Sequence, residues 1–303
     1  MAHTVDYRDT RPTAQVETLT ALLQAKYDTE FGTVMALLGA IVSAVIPPNV
    51  VSAVDALLGA AWQSTIKWTA QNRKVNATAL AHGTHAYKGL SFDIPAGYTC
   101  SKADVCLVYA NKVTGVIAKG KKDKYGCYAA NLEAFYTSKR IAVWSTFDTL
   151  RKVHKSSMTS IDKVYAYAHI IVSTMPKRAK IVRIHSHGDF FSVEYFLAWV
   201  LVAKLLPAVK FYGYSKHLVY VRVLADLNLD NLRAVYSLGG KDDLLLNPDI
   251  DRIAWVTPSL DDAQTVLLPN GTSFVDDVAC KFSTDPSDFD AIYAGRNVGL
   301  HLH

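Results

Sequence analysis

Apolar and polar positions divide the chain into an N-terminal helical part and a C-terminal part of short strands and helices. Two apolar runs, at 34–46 and 50–62, are interrupted by Pro47-Pro48, and neither reaches the ~20 apolar residues of a membrane-spanning helix. They predict a hairpin of two buried helices. Apolar residues recur at three- and four-residue spacing over 128–140 and 147–172, which predicts further helices.

From residue 181 onward, short apolar runs predict parallel strands joined by helices. Runs begin at 181, 209, 232 and 252, at intervals of 28, 23 and 20 residues, which is the spacing of βα units on a parallel sheet. Runs at 90–94 and 290–293 complete a set of about six strands, and a helix is expected at 193–206. We therefore predict an α/β fold, a partial (βα) barrel of about six parallel strands with an N-terminal helical extension.

The polar segment at 71–88 predicts a boundary between two domains. The first is the N-terminal extension, residues 1–71, which contains the apolar hairpin 33–63. The second is a barrel-like domain at 72–303, with a cysteine-containing loop at 95–127. The Ala and Gly residues of the hairpin permit close helix approach, so we expect it to pack on the main domain or to join two copies in a homo-oligomer.

Composition excludes several classes of protein. Half of the 303 residues are apolar and 19% are charged, which excludes a disordered chain. The net charge of +5 is too small to identify a nucleic-acid-binding protein by itself. Four cysteines exclude a disulfide scaffold and suit a reducing compartment. The polar start of the chain lacks a secretory signal, so we expect a cytoplasmic protein without a transmembrane segment.

Three cysteines follow the first strand of the main domain. Cys100, Cys106 and Cys127 have the spacing C-x5-C-x20-C. Because cubane clusters are usually held by four cysteines, three thiolates would hold a 4Fe-4S cluster with one iron open to a ligand. Zinc with three protein ligands is one alternative, and small core side chains are another. Cys280 stands apart, and we expect a buried or free thiol there.

The end of the 181–185 strand carries a second group of chemically active residues. Alternation along a strand predicts that His185 and His187 share one face, where they and Asp189 could bind a catalytic metal. Gly188 would let a ligand approach the backbone. Asp189 is alternatively a base, an acceptor for a ligand's ammonium group, or the cap of the following helix.

The next two strand ends carry small and polar residues as well. These residues are Tyr214, Ser215, Lys216, Ser237, Gly239 and Gly240. Lys216 could bind a phosphate or a carboxylate, and the two glycines could form a backbone nest for an anion. Since α/β barrels bind their substrates at the carboxyl edge of the strands, we predict one site formed by all these strand ends.

Several motifs resemble those of the gene product 88 family of phages and prophages, in the same order over about residues 72–300. They are Phe92–Cys100, Cys106, Cys127–Ala130, Glu133, Val182–His185, Gly188–Ser192, Phe211–Lys216 and Ser237–Gly240. The resemblance implies a phage protein in the cytoplasm of a bacterial host and carries no assigned activity. The chain departs from the family pattern at Ser101, at His187 and at 297–303, so the roles of His301 and His303 stay open.

The layout also resembles that of radical S-adenosylmethionine enzymes. These have a partial βα barrel, a three-cysteine cluster loop after the first strand, and a Gly-Gly-Glu-like motif that ends the second strand. Gly188-Asp189 has the place of that motif here, although the cysteine spacing differs from C-x3-C-x2-C. The resemblance implies that Asp189 and His185 orient S-adenosylmethionine or move protons, while Tyr214, Ser215 and Lys216 line the pocket.

These observations predict an iron–sulfur enzyme that acts on an unknown small molecule or nucleic acid. The first alternative is a zinc- or manganese-dependent hydrolase or nuclease that uses His185, His187 and Asp189. The second is a non-enzymatic phage protein with a structural zinc, which binds a host partner or DNA through the apolar hairpin 33–63. The basic run Lys119–Lys124 suits phosphate backbones or forms a solvated loop.

Overall fold

The computed structural model describes residues 4–6, 13–41, 44–70, 72–83, 89–120, 126–257, 265–267, 273–275, 278–280 and 287–301. Its helices are α1 (Thr13–Ala40), α2 (Pro48–Leu58), α3 (Arg73–Ala81), α4 (Tyr128–Phe135), α5 (Thr137–Lys155), α6 (Ser160–Thr174), α7 (Val193–Leu205), α8 (Leu218–Leu227) and α9 (Ser287–Tyr293). Its strands are β1 (Thr4–Asp6), β2 (Trp68–Thr69), β3 (Gly89–Phe92), β4 (Tyr109–Ala110), β5 (Ile117–Ala118), β6 (Ile181–Ile184), β7 (Lys210–Ser215), β8 (Leu232–Ser237), β9 (Ile253–Thr257), β10 (Thr265–Leu267), β11 (Ser273–Val275), β12 (Val278–Cys280) and β13 (Val298–His301).

The main sheet has eight strands in the order β12-β13-β9-β8-β7-β6-β3-β2, and every neighbouring pair except β2–β3 is parallel. Strands β3, β6, β7, β8 and β9 follow one another in chain order, so each βα unit extends the sheet in the same direction. Across the described residues β12 and β2 are the free ends of this sheet, which is open. The predicted mixed α/β fold with a mostly parallel sheet is confirmed.

Helix α7 lies at the centre of the core. All nine residues from Tyr195 to Ala203 are buried because the helix packs between α6 and the sheet. The Trp199 ring contacts Phe92 of β3 and Phe211 of β7 at centroid distances of 5.4 and 6.0 Å. A helix that is apolar on all sides is stable only when it is enclosed in this way.

Helices α3 and α9 cover the opposite face of the sheet. The strand predicted at 290–293 is wrong, because this segment belongs to α9. Phe289 and Ile292 are three positions apart and share one helical face, where Phe289 contacts the Tyr212 ring at 5.1 Å. Helix α3 lies in the segment predicted to be a polar connector and buries Val75 and Ala79.

The two N-terminal helices differ from the predicted hairpin in their limits and in their burial. Helix α1 begins well before the apolar run, and Val34 is its only fully buried residue. It packs on α6, α7 and α8, whereas α2 packs on α5 and α6. Val50, Val54 and Trp62 therefore belong to the core of the main body. No described helix has a stretch that is long and apolar enough to cross a membrane.

Candidate functional site at the carboxyl edge of the sheet

The loop that carries the cysteines lies on the carboxyl ends of the parallel strands. The Asp104 backbone N–H donates to the Gly239 carbonyl (3.1 Å), and the Lys241 N–H donates to the Lys102 carbonyl (2.8 Å). Ala103 also forms a β-bridge with Gly240. The segment after β3 is thus fixed to the segment after β8, at the edge where the sequence predicts a site.

The backbone at Gly188 makes a close contact with the same loop. Gly188 has φ +82, and a Cβ at this position would lie 2.6 Å from Thr99 Oγ1 and 2.7 Å from the Ile94 carbonyl oxygen. The space above Gly188 is therefore filled by the chain itself and not left free for a ligand. Thr99 Oγ1 also accepts a hydrogen bond from the Asp189 N–H (3.2 Å).

The three predicted cysteine ligands converge at this edge. The hydrogen bond with Cys106 and burial raise the pKa of Cys127. Burial, together with the nearby charges of Asp189 and Cys106, raises the pKa of Cys100. All three cysteine residues are partly buried. Within the described residues, no three His, Cys, Asp or Glu side chains already have the arrangement of a metal site.

Asp189 joins the ends of two strands. Its Oδ1 accepts from Ser215 Oγ (2.8 Å), and its Oδ2 accepts from the Lys216 N–H (2.9 Å). The carboxylate is buried. The cap of helix α7 is Ser192, whose hydroxyl accepts from the Tyr195 N–H, so the capping alternative for Asp189 is wrong. Asp189, Ser215 and Lys216 do lie together, as the strand ends predict.

Lys216 extends from β7 to the end of β8. Its ammonium group donates to the carbonyl oxygens of Ser237 (3.1 Å) and Leu238 (2.6 Å). It is also close enough to Cys100 to lower the pKa of that thiol slightly. The positive charge is thus held beside the cysteine cluster.

The backbone nest predicted at Gly239 and Gly240 is present and is filled by a carboxylate of the same chain. The two N–H groups donate to Asp243 Oδ2 (3.0 Å) and Oδ1 (2.9 Å), and the Tyr236 hydroxyl donates to Oδ1 (2.7 Å). Burial raises the pKa of Asp243 to about 6, against the opposing effect of these hydrogen bonds. An external anion does not have access to this nest while Asp243 remains bound.

His185 lies in an aromatic environment. Its φ is +61, its Nε2 is 3.0 Å from the Tyr195 hydroxyl, and its ring packs on Phe190 and Tyr195. Burial lowers the pKa of His185 from its ordinary value of 6.5 to about 4, so the ring is neutral at pH 7. These contacts are those of a core histidine.

His187 faces a different group from His185. Its Nδ1 is 3.0 Å from Glu133 Oε1, which also accepts from the Ala96 N–H (2.9 Å). The left-handed backbone at His185 interrupts the strand alternation, so the two imidazoles do not share a face. His185, His187 and Asp189 therefore do not form the zinc or manganese site of the hydrolase alternative.

Asp93 is a central buried charge that the sequence analysis did not identify. Its Oδ1 accepts from the Ser186 N–H (2.8 Å), and its Oδ2 accepts from Lys139 Nζ (2.5 Å) and Ser91 Oγ (2.9 Å). Burial alone would raise the pKa of Asp93, but the charge and hydrogen bond of Lys139 act together with His187 and Ser91 to hold the pKa well below the usual range. The available signal in the sequence was a carboxylate inside the apolar run at 90–94.

Helix α1 also reaches this edge. Glu30 Oε2 accepts from Lys102 Nζ (2.7 Å), and its Oε1 lies 3.7 Å from His217 Nδ1, a distance too long for a hydrogen bond. Lys102 also donates to Asp242 (3.0 Å). Burial acts to raise the pKa of Glu30, but the His217 and Lys102 contacts lower it to about 2.

The remaining predicted residues lie elsewhere or outside the described chain. Tyr214 is on the sheet face covered by α3 and α9, where its ring contacts the Arg183 guanidinium at 5.0 Å. Cys280 ends β12 at the far side of the sheet. Residues 121–124 of the basic run, and His303, lie outside the described residues.

A recess in the surface lies at the opposite edge of the sheet. It is lined by His82, Lys180, Lys210 and Tyr293, among others, near the amino ends of β6 and β7. None of the predicted site residues borders it. The convergence of the thiols, and not this recess, therefore defines the candidate site.

The burial of neutral His185 predicts that the protein loses stability in mild acid. The unfolded chain protonates this ring near pH 6.5, whereas the folded chain resists protonation down to about pH 4. The stabilisation that comes from neutral His185 is complete above pH 6.5. As the pH falls to 4, the free energy of unfolding decreases by about 3 kcal/mol. His185→Asn, which tolerates the left-handed backbone, should reduce the difference between urea unfolding energies at pH 7 and pH 4.5.

Exposed His154 provides the control, because His154→Asn should keep the full pH dependence. An unchanged pH dependence in His185→Asn would show that His185 is accessible to protons in the folded state.

Comparison with known proteins identifies relatives but no solved structure. The chain is 28% identical over 111 residues to the Gene 88 protein of Mycobacterium phage L5, which covers 37% of this chain and 46% of that protein. The chain thus matches less than half of that relative's length. No solved structure matches. The family model described as Gene product 88 matches residues 64–292, most of the chain, and the protein therefore belongs to the gene product 88 family.

Proposed function

We propose that this protein is an iron–sulfur enzyme in which Cys100, Cys106 and Cys127 hold a 4Fe-4S cluster with S-adenosylmethionine at its open iron. The observation that carries the proposal is the convergence of three thiols at the carboxyl edge of a parallel sheet. The chain-order arrangement of β3 and β6–β9 supports a partial (βα) barrel. When bound, such a cluster supplies an electron to the cofactor at that iron.

The electrostatics of the thiols support a cationic ligand. The hydrogen bond with Cys106 and burial raise the pKa of Cys127, and burial and the charge of Asp189 raise the pKa of Cys100. These side chains are therefore neutral thiols by themselves, and a bound metal centre would have to displace their protons and compensate the charge of the thiolates. Three protein ligands leave a fourth coordination position for an exogenous group.

The neighbours of Cys100 suit the polar groups of an amino acid. We assign the Asp189 carboxylate to an ammonium group of the cofactor and the Lys216 ammonium to a carboxylate. Asp189 Oδ1 already accepts from Ser215 Oγ and the Phe190 N–H, and Oδ2 accepts from the Lys216 N–H. These bonds fix the direction of the carboxylate and leave a lone pair of Oδ2 available. His185 contributes by packing and not by proton transfer, since its ring is buried among aromatic side chains.

The test is an iron, sulfide and zinc assay after anaerobic purification. We expect about four iron and four sulfide per chain, and a complete loss of both in Cys100→Ala. Cys280→Ala, which removes the cysteine that lies apart, should keep the full content. Asp189→Asn should keep the iron and weaken S-adenosylmethionine binding in calorimetry.

Zinc without sulfide would replace the proposal by a structural or hydrolytic metal site. Purified protein without any metal, even after reconstitution with iron and sulfide, would show that the thiols are core side chains.

A further inference from the structure

Exposed aromatic side chains are concentrated in one segment. All five aromatic residues that are largely exposed among the described residues lie between 98 and 141, and Phe135 is 79% exposed. We call this set the aromatic surface; it consists of Tyr98, Tyr109, Tyr128, Phe135 and Tyr136. A cluster of this kind on a protein surface marks an interaction site more often than a scatter of single apolar residues does.

The elements that carry these rings pack on one another, and the Tyr98 ring contacts Trp144 of α5 at 4.9 Å. Helix α4 packs on β4, β5 and α5. The β4–β5 turn lies against the α4–α5 junction, because Arg140 Nε donates to the Lys112 carbonyl (3.3 Å). At that junction the Phe135 and Tyr136 rings contact each other at 4.9 Å. The rings thus belong to one structural unit.

The charge of the segment indicates the kind of partner. Counted over the sequence, residues 98–141 contain eight Lys or Arg and three Asp or Glu, a net charge of +5. Lys102, Lys112 and Lys139 form ion pairs with Glu30, Asp148 and Asp93, which lie outside this segment. The other basic residues of the segment are buried Arg140 and the four lysines of the run Lys119–Lys124. Exposed aromatic rings in a segment that also carries a basic run are typical of surfaces that bind single-stranded nucleic acid, by base stacking and phosphate attraction.

The aromatic surface lies next to the cysteine cluster in the chain. Tyr98 is two residues from Cys100, and Tyr128 directly follows Cys127. Tyr109 is three residues from Cys106, a separation of at most about 10 Å even in an extended chain. Bases stacked on these rings would therefore lie close to the thiols.

We propose that the aromatic surface binds single-stranded nucleic acid. Nucleic acid as the substrate of the enzyme rests on the proposed function. Binding of nucleic acid to the aromatic surface does not depend on an iron–sulfur cluster. A protein partner is the competing occupant. It would not show the strong salt dependence, or the preference for unpaired over paired strands, that stacking requires.

The test uses the anaerobically purified full chain and fluorescence anisotropy with a labelled oligothymidylate of roughly 20 nucleotides, with a duplex of equal length for comparison. We expect tighter binding of the single strand and a steep loss of affinity as salt rises. Each stacked base is worth about 1–3 kcal/mol, so the double substitution Phe135→Ala/Tyr136→Ala should weaken binding at least about tenfold. Tyr109→Ala should weaken binding independently.

Leu22→Ala and Ile250→Ala are matched controls, since these apolar side chains are 65% and 61% exposed outside the segment. They should bind like the wild type. The absence of wild-type binding, equal affinity in the double variant with an unchanged circular dichroism spectrum, or a preference for duplex would each overturn the inference. So would loss of a wild-type dimer in the double variant, since the surface would then join two copies.

Iron content separates the two proposals. Full iron without oligonucleotide binding would overturn this inference alone, and binding by a protein that takes up no iron would overturn the proposed function alone.

Discussion

Replacing Asp93 with alanine is expected to lower the free energy of unfolding by about 3–5 kcal/mol. The substitution leaves the Lys139 ammonium without its carboxylate and removes the acceptor of the Ser186 and His187 N–H groups. Asp93 and His187 are buried, whereas Ser186 and Lys139 are partly exposed, so solvent replaces the lost contacts only in part. Urea unfolding at pH 7 measures the effect.

The exposed pair of Asp148 and Lys112 (2.6 Å) is the matched control. Asp148→Ala should cost less than about 1 kcal/mol, because water screens the pair. Equal costs for Asp93→Ala and Asp148→Ala would mean that water reaches Asp93 and that the ion pair does not hold the loop on β6.

A methyl group at Gly188 is expected to cost about 4 kcal/mol. The left-handed backbone contributes about 1–2 kcal/mol. The remainder is overpacking, about 1–3 kcal/mol, because the new Cβ would lie under 3 Å from the Ile94 carbonyl oxygen and Thr99 Oγ1. The Gly188→Ala variant should also lose iron if the proposed cluster is present, since the contact positions the loop before Cys100.

Substitution of Gly83 distinguishes the cost of the left-handed backbone from the cost of overpacking. Gly83 also has a positive φ (+68), but nothing lies within 4 Å of an added Cβ, so Gly83→Ala should cost only about 1–2 kcal/mol. If the two variants lost the same stability, the close approach between the loop and β6 would be relaxed in solution.

The order of the parallel strands could be predicted because their signals are local. Each strand from β6 to β9 is a short apolar run followed by polar residues, and chain neighbours become sheet neighbours. The prediction of a strand at 290–293 failed because the local pattern there is ambiguous. Phe289 and Ile292 suit a short strand or one face of a helix equally well, and only contact with Tyr212 distinguishes the two.

The polar residues of the site were harder to predict, because their function in the fold depends on distant partners. Asp93 is stabilised by Lys139, Glu133 by His187, and Glu30 by Lys102, and no local pattern connects these pairs. His185 and His187 were expected on one face because alternation assumes a regular strand, and φ +61 at His185 breaks that regularity. The cysteines could be named as a group because thiols are rare in this chain, and their role as ligands stays a prediction.

The attachment of the cysteine loop to the end of β8 constrains the order in which the protein assembles on the ribosome. Strands β3, β6 and β7 meet their partners as soon as the next βα unit emerges. The loop after β3 instead needs the Gly239 carbonyl and the Lys241 N–H, so more than a hundred residues must be synthesised before it closes. The nascent chain therefore presents Cys100, Cys106 and Cys127 in an open loop throughout that interval, and any group delivered to the thiols has access before the edge is sealed.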